Sequence, residues 1–519
     1  MPVVEMRGIV KRFGAIAACD GIDFDIQPGE VHALLGENGA GKTTLMRLLY
    51  GLFNADAGEI LVDGSPVALS SPSVAIAHGI GMVHQHFLLV PTMSVLENYA
   101  LGRSSLTSSV PRAISREQAE SVRSRYGLWV DPDRLVHDLP VGLQQRVEII
   151  RSLCQGASVL ILDEPTAVLT PQEANELFHG LKAFAEAGNS VVFISHKLKE
   201  VMAVSDRVTV LRRGKVVEEV TTSDTSVDEL AAMMTGHWTP TQFHRGTSAP
   251  GPVTLSARGI YVLDDEGRPS VRDLDFDVHA GEILGVAGVD GNGQSEMTQA
   301  LWGLRPLMAG TVKLGGVDIT RASVRERVRR GIGHIPDDRN RWGLFLQLRI
   351  SDNLTSERLE EPRFSSWGVV RRTAIDAHAH DLVQRFEIVP PDINALTGAL
   401  SGGNQQKVVV ARAVSHDPQV VIASHPTRGL DVMAADFVRR AIVAERDRGA
   451  AVLLVSADLD EVLAISDRVA VMYEGRFVGT VNPATTSLAE VGLLMAGIHQ
   501  GTTTKRSDAG VEIDPVDLL

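Results

Sequence analysis

Short apolar runs punctuate the chain at strand length. "VHALL" (31–35), "VLIL" (159–162) and "SVVFIS" (190–195) alternate with stretches of helical character. That order predicts an α/β unit with a mostly parallel sheet. The region from about 86 to 156 reads differently, with polar-rich helical segments such as "SREQAESVRSRYGL". A helical subdomain inserted into the α/β core is predicted there, and residues 338–417 are predicted to form its twin.

The twin is expected because the sequence repeats itself. "GENGAGKT" (36–43) aligns with "GVDGNGQS" (288–295), and "GIGMVHQ" (79–85) with "GIGHIPD" (331–337), both at an offset of 252. "LPVGLQQR" (139–146) pairs with "LSGGNQQK" (400–407) at 261, so the second copy carries about nine extra residues between 337 and 400. Two homologous domains are predicted at 1–238 and 253–498, joined by a Pro/Gly/Ser/Thr-rich linker (239–252) and followed by a polar tail (499–519).

Composition narrows the setting. The 519 residues suffice for two sizeable cores, and the net charge of −14 makes nucleic acid a poor partner. No run of about 18 apolar residues occurs, and the N-terminus lacks a signal-peptide pattern. A soluble protein, or a peripheral subunit carried by membrane partners, is therefore expected. Cys19 and Cys154 stand in unrelated contexts and read as small core residues rather than a disulfide or a metal site.

The chemistry is concentrated in the first copy. Gly36, Glu37, Asn38, Gly39, Ala40, Gly41, Lys42, Thr43 and Thr44 follow a strand and open a helix, the context of a phosphate-binding loop. Its backbone amides and helix N-terminus favour phosphate oxygens. Lys42 is expected to reach the β- and γ-phosphates and Thr43 to ligate Mg²⁺. The strand "VLILDEP" delivers Asp163 and Glu164 to the edge where ligands bind in such sheets. Asp163 is expected to hold Mg²⁺ through its water shell, and Glu164 to accept the proton from the attacking water or orient it. His196, after "VVFIS", is placed to contact the γ-phosphate, and Gln85 to reach Mg²⁺ or the water. His84 and His86 flank Gln85 without further metal ligands and read as scaffold.

Taken together, the motifs resemble those of ATP-binding subunits of the ABC transporter family. The phosphate loop, the glutamine loop, the "LSGGNQQK" signature, the "LILDEPT" strand and the histidine position come in order, twice, over nearly the whole chain. The resemblance adds Phe13 as the adenine-stacking aromatic. It also implies that two nucleotide domains face each other head to tail, each ATP lying between one phosphate loop and the other half's signature. The first loop would then face Ser401, Gly402, Gly403 and Asn404, of which Asn404 departs from the usual glutamine.

The other composite site is eroded. Lys42 becomes Gln294, Gln85 becomes Asp337, Asp163 becomes Ser424, Glu164 becomes His425 and His196 becomes Ala457. Phe13 aligns with Asp264, and the facing signature reads Leu139, Pro140, Val141, Gly142, Leu143. Gly288, Gly291, Gly293 and Ser295 survive. The losses fall on one composite site although its pieces come from both halves, so one hydrolytic and one degenerate site are expected.

A fused pair with a short linker is similar to the ATPases of simple-sugar importers. The stretches at 79–102, 141–149, 163–173 and 423–431 look like the purine-nucleoside branch, with ribose-type import as the alternative. The resemblance implies ATP and Mg²⁺ as cofactors, two transmembrane permease subunits, an extracytoplasmic substrate-binding (lipo)protein acting indirectly, and a place at the cytoplasmic face of the membrane. A soluble tandem ATPase acting in translation fits less well, because the linker is short and one site is lost. A DNA-repair ATPase is disfavoured by the acidic charge and the lack of cysteine clusters.

Overall fold

The apolar runs become the central strands of a six-stranded sheet in each half. In the first half the order across the sheet is Lys215–Thr221, Arg207–Arg212, Val31–Gly36, Ser190–Ile194, Val159–Asp163, Ile80–Val83. Only the outermost strand, Lys215–Thr221, is antiparallel to its neighbour. The second half repeats the order with Arg476–Val481, Arg468–Tyr473, Ile283–Ala287, Ala451–Ser456, Val420–Ser424 and Ile332–Ile335. This computed structural model describes the chain except for residues 15, 38, 84–87, 102–111, 167, 168, 170, 196, 237–249, 496 and 498–519, and the side chains of 112–115, 171 and 489.

Buried faces on both sides explain why these strands are apolar without alternation. Successive side chains point to opposite faces. Ala33, Leu35, Leu160 and Leu162 enter a core shared with the helical segments Val95–Ala100 and Val141–Cys154. Leu34, Val159 and Ile161 enter a second core on the other side of the sheet. Each Leu, Val or Ile among them, fully buried, is worth about 1.5–3 kcal/mol against exposure.

That second core rests on a separate antiparallel sheet, which the alternation of runs and helices did not predict. It has the order Ile16–Ile26, Val4–Phe13, Ala57–Val62, Ser65–Pro66, and is mirrored by Pro269–His279, Val253–Leu263, Ala309–Leu314, Val317–Asp318. These strands carry charged residues such as the exposed Arg7 and Arg12 and the half-buried Lys11, so they lack an unbroken apolar signature. Cys19 and Cys154 are both buried and form no disulfide, as expected of core residues.

The helical insertions form at the predicted places. The second contains Ile350–Thr355, Arg372–Arg385 and Gly402–Val414, together with a small hairpin, Ser365–Ser366 with Val369–Val370, inside the stretch predicted to be longer. The halves touch each other. Helix Pro171–Glu186 packs on Leu488–Met495, a Cβ on Gly492 would lie 2.5 Å from Gln172 Nε2, and Lys199 Nζ stands 2.7 Å from Asp460 Oδ1. Of the predicted linker only 250–252 are described, and the predicted tail lies outside the described residues.

Candidate functional site

The parallel register brings the predicted acids and the predicted loop to one edge. Leu34 pairs with Ile194, and Asp163 pairs with the same Ile194, so the strand ends lie level with one strand between them. From that edge Gly36 leads into the loop and Lys42 opens the helix Lys42–Leu49. Gly41 precedes it at φ +108°, and a Cβ there would sit 2.2 Å from the Ala18 carbonyl oxygen, so only glycine lets the loop pass.

Lys42 is buried and folds back over its own loop, donating to the carbonyls of Gly36 at 2.6 Å and Glu37 at 3.0 Å. Burial lowers its proton affinity, opposed by the carboxylates of Glu164, Asp163, Asp431 and Glu37. Ala40 closes the loop through its amide on the Glu37 carbonyl at 3.1 Å, Gly39 takes φ +81°, and Thr43 and Thr44 lie half-buried in the first helical turn. Thr43 donates through Oγ1 to Asp163 Oδ2 at 3.4 Å.

Asp163 is itself buried. Burial, and then neighbouring Glu164, raise its proton affinity against the Thr43 hydrogen bond. The charges of Lys42 and Arg47 also oppose the rise, and an all-oxygen pair of hydroxyl and carboxylate suits a hard divalent cation. Glu164 turns out of the strand at φ +51°, its amide donating to the Ile194 carbonyl at 2.9 Å. Gln145, from the helix behind, donates to the Pro165 carbonyl and braces the turn. Asn38, Gln85 and His196, with the flanking His84 and His86, lie outside the described residues.

Phe13 ends the strand Val4–Phe13 and is 46% exposed, edge-on to Phe53 at 5.5 Å with Lys11 Nζ 5.7 Å from its ring. Its strand pairs with Ile16–Ile26, whose Ala18 carbonyl underlies Gly41. Asp264, its counterpart, instead accepts from the Glu266 and Arg268 amides at 2.9 and 2.8 Å in a turn.

Ser401 N-caps the helix Gly402–Val414, accepting from the Asn404 amide at 3.4 Å and from Asn404 Nδ2 at 2.9 Å. Asn404 Oδ1 in turn accepts from the Val389 amide at 2.8 Å. A Cβ on Gly402 would lie 2.8 Å from Arg339 Nη2, and one on Gly403 would lie 3.8 Å from Asp431 Oδ2. In the first half the same helix start is Pro140, which has no capping side chain, with Val141 as its first residue. The first signature thus lacks the hydroxyl that Ser401 supplies at the start of the second.

Asp431 escaped the sequence reading. It caps the helix Val432–Asp447 by accepting from the Ala434 amide at 2.8 Å, and it lies beside Gly403. It also acts on the other half: its charge raises the proton affinity of Glu37, where burial is the larger cause, and supports the charge of Lys42. The contrast between "RGLD" (428–431) and "AVLT" (167–170) was the available signal.

The second loop keeps the shape and changes the chemistry. Gly293 repeats φ near +99°, with a Cβ 2.3 Å from the Ser270 carbonyl oxygen. Gly291 takes φ +94°, and a Cβ on Gly288 would lie 2.5 Å from Gln294 Nε2. Gln294 donates to the Val289 carbonyl at 2.9 Å, so its arm is engaged within its own loop. Ser295 donates through Oγ to Asp337 Oδ2 at 2.7 Å, whereas the buried Ser424 hydroxyl has no hydrogen-bond partner among the described residues.

His425 copies the Glu164 turn at φ +43°, its amide on the Val455 carbonyl at 2.7 Å. Burial lowers its proton affinity despite Asp290 nearby. Its Nδ1 accepts from the Ala457 amide at 3.4 Å, while Nε2 faces Asp290 Oδ1 at 3.7 Å. A neutral imidazole has one acceptor nitrogen, and here the Ala457 amide uses it, leaving none for a water proton. Asp290 also meets Arg428 at 3.4 Å. Neither Asp290 nor Arg428 was singled out in the sequence.

Known proteins align with these halves. The ABC transporter family description matches residues 19–167 and 271–428. Three relatives extend the likeness over the whole chain. The nucleoside import ATP-binding protein NupA of Lactococcus lactis is 42% identical over 95% of this chain and 98% of its own length. The guanosine import ATP-binding protein NupO of Bacillus subtilis is 45% identical over 96% and 98%. The glucose import ATP-binding protein TsgD13 of Haloferax volcanii is 42% identical over 97% of each. With a glycine loop and a mostly parallel sheet repeated in both halves, and with these matches, the chain belongs to the ABC transporter family.

Proposed function

We propose that the chain is the ATP-hydrolysing subunit of an ABC importer for nucleosides, with one hydrolytic composite site and one degenerate site. The observation that carries the site reading is the convergence on Lys42. Thr43 and Asp163 lie beside it, and Asp431, next to the second-half signature, acts on it from the other half. ATP is held by the first loop, with Phe13 against adenine and Lys42 on the phosphates. Thr43, Gln85 and Asp163 hold Mg²⁺, which offsets phosphate charge when bound. Glu164 takes the proton of the attacking water, His196 contacts the γ-phosphate, and Ser401, Gly402, Gly403 and Asn404 close the site from the opposite half.

In this reading 1–238 and 253–498 are the two nucleotide domains and 239–252 the linker. Two membrane permease subunits receive the motion, an extracytoplasmic binding protein delivers the solute, and the chain works at the cytoplasmic face. Among the described residues, no helix is long and apolar enough to cross a membrane. The nucleoside assignment is supported by the names of two relatives. A monosaccharide is the second reading, supported by the glucose import relative at 42% identity.

The deciding experiment is uptake by the assembled transporter in proteoliposomes. ATP turnover stimulated by guanosine or adenosine with binding protein present, and not by ribose or glucose, is the expected result. Stimulation by the sugars alone would establish the second reading.

A further inference from the structure

The halves meet through equivalent positions that carry opposite charges. At an offset of 261, Lys197 aligns with Asp458, Lys199 with Asp460 and Glu200 with Glu461. Lys199 Nζ stands 2.7 Å from Asp460 Oδ1, so this position faces its own counterpart across the interface. One cleft between the halves is lined by Thr166, Lys197, Lys199 and Glu200 on one side and by Asp458 and Asp460 on the other. Two identical halves docked this way would set like charges against each other. Both lysines lie at the start of the helix Leu198–Val204, where acids are favoured and cations disfavoured. The carboxylate that offsets Lys199 lies in the other half.

Lys197 carries the contact inward. Its Nζ lies 3.2 Å from Glu200 Oε1 and donates to the Thr166 carbonyl at 3.5 Å. Glu200 Oε2 accepts from the Thr166 hydroxyl, and from Ser195 Oγ at 3.3 Å. Thr166 stands two residues past Glu164, and Ser195 follows Ile194, whose carbonyl accepts the Glu164 amide. Both sides of the Glu164 turn are thus tied to Glu200 and Lys197. Burial works against the charge of Lys197, yet the carboxylates of Glu200, Asp458 and Asp460 raise its proton affinity. The second half builds the same frame without the lysine. There Ser456 Oγ donates to Glu461 Oε2 at 2.7 Å, and Arg439 stands 3.5 Å from Glu461 and 3.7 Å from Asp458.

We propose that Asp458 and Asp460 are positioning residues for ATP hydrolysis in the first half. Acting on Lys197 and Lys199, they hold the segment that braces the Glu164 turn, and they reach it only while the halves are docked. The second half thereby contributes to turnover through residues outside its signature. The inference rests on the reading that Glu164 serves the hydrolytic site.

The test uses the full-length chain in the assembled transporter, with steady-state turnover followed against ATP concentration. Asp458 also caps its helix by accepting from the Glu461 amide at 3.2 Å, so Asp458→Asn is chosen to keep a capping oxygen while removing the charge. In Asp458→Asn/Asp460→Asn, kcat should fall roughly 2–30-fold, the range for residues along a coupling network. The KM for ATP and the unfolding midpoint should stay close to those of the parent, because the phosphate loop is untouched and exposed ion pairs add little stability. Asp460→Lys should lower kcat, and Lys199→Asp in the same chain should restore it. An unchanged kcat in the double asparagine variant would overturn the proposal. So would a loss confined to KM or to the unfolding midpoint, or a failure of Lys199→Asp to rescue Asp460→Lys. Retained hydrolysis by Glu164→Gln, assayed alongside, would instead refute the reading on which the proposal rests, which separates the two failures.

Discussion

Glu164 and His425 occupy the same station in two copies of one turn. Both leave their strand at positive φ, +51° and +43°, and both amides donate to the neighbouring strand, at 2.9 Å to Ile194 and 2.7 Å to Val455. The turn has been kept in both halves, and only the side chain it presents differs. A glutamate there can take a proton; a neutral histidine whose acceptor nitrogen is occupied cannot.

Glu164→Gln should therefore lower steady-state ATP turnover by about 10²–10⁴ while ATP binding is retained, since a positioned acid–base group carries that much rate. His425→Gln should leave turnover within a few-fold. Parallel ATPase assays with nucleotide-binding controls check this, and comparable losses in both variants would sink the asymmetry.

The signatures should rank in the opposite sense to their loops. Ser401→Arg removes the cap that now holds Asn404 and places a bulky cation two residues from Gly403, against which Asp431 stands. It should cost as much turnover as Lys42→Ala. Val141→Arg alters a helix start that has no capping side chain, and should cost much less. A reversed ranking in the assembled transporter would mean that each half closes on its own nucleotide.

One copy of the chain should serve two membrane subunits, because the two halves already meet through Lys199–Asp460 and through Pro171–Glu186 packed on Leu488–Met495. The ion pair is exposed and worth at most about 1 kcal/mol, so the helix packing dominates that contact. Native mass spectrometry of the purified complex reads the stoichiometry directly. Two copies per pair of membrane subunits would contradict it.

Acid should destabilise the second half through His334. This side chain is 6% exposed, stacked on Trp302 at 4.8 Å, and burial holds its pKa down at about 3. The unfolded chain binds a proton near pH 6.5, so stability is present above that value and is lost as pH falls toward 3. Between pH 7 and pH 5 the loss is on the order of 2 kcal/mol. The first half has Met82 at this position. His334→Met should thus flatten the drop in unfolding midpoint between pH 7 and pH 5; an unchanged drop would refute the assignment.

The repeat, the α/β class and the first loop were legible because each is written in contiguous residues. A glycine loop ending in Lys42 and Thr43, or an apolar run ending in Asp163 and Glu164, carries its chemistry in a few neighbouring positions. The antiparallel sheet was not legible, since strands with one solvated face interleave charges with apolar residues. Tertiary structure alone decided which groups meet across long separations. Sheet order set Asp337 against Ser295, 42 residues away, and turned His425 toward the Ala457 amide. Contact between the halves placed Asp431 where its charge acts on Lys42. Such pairings depend on strand order and docking, which a single sequence does not spell out.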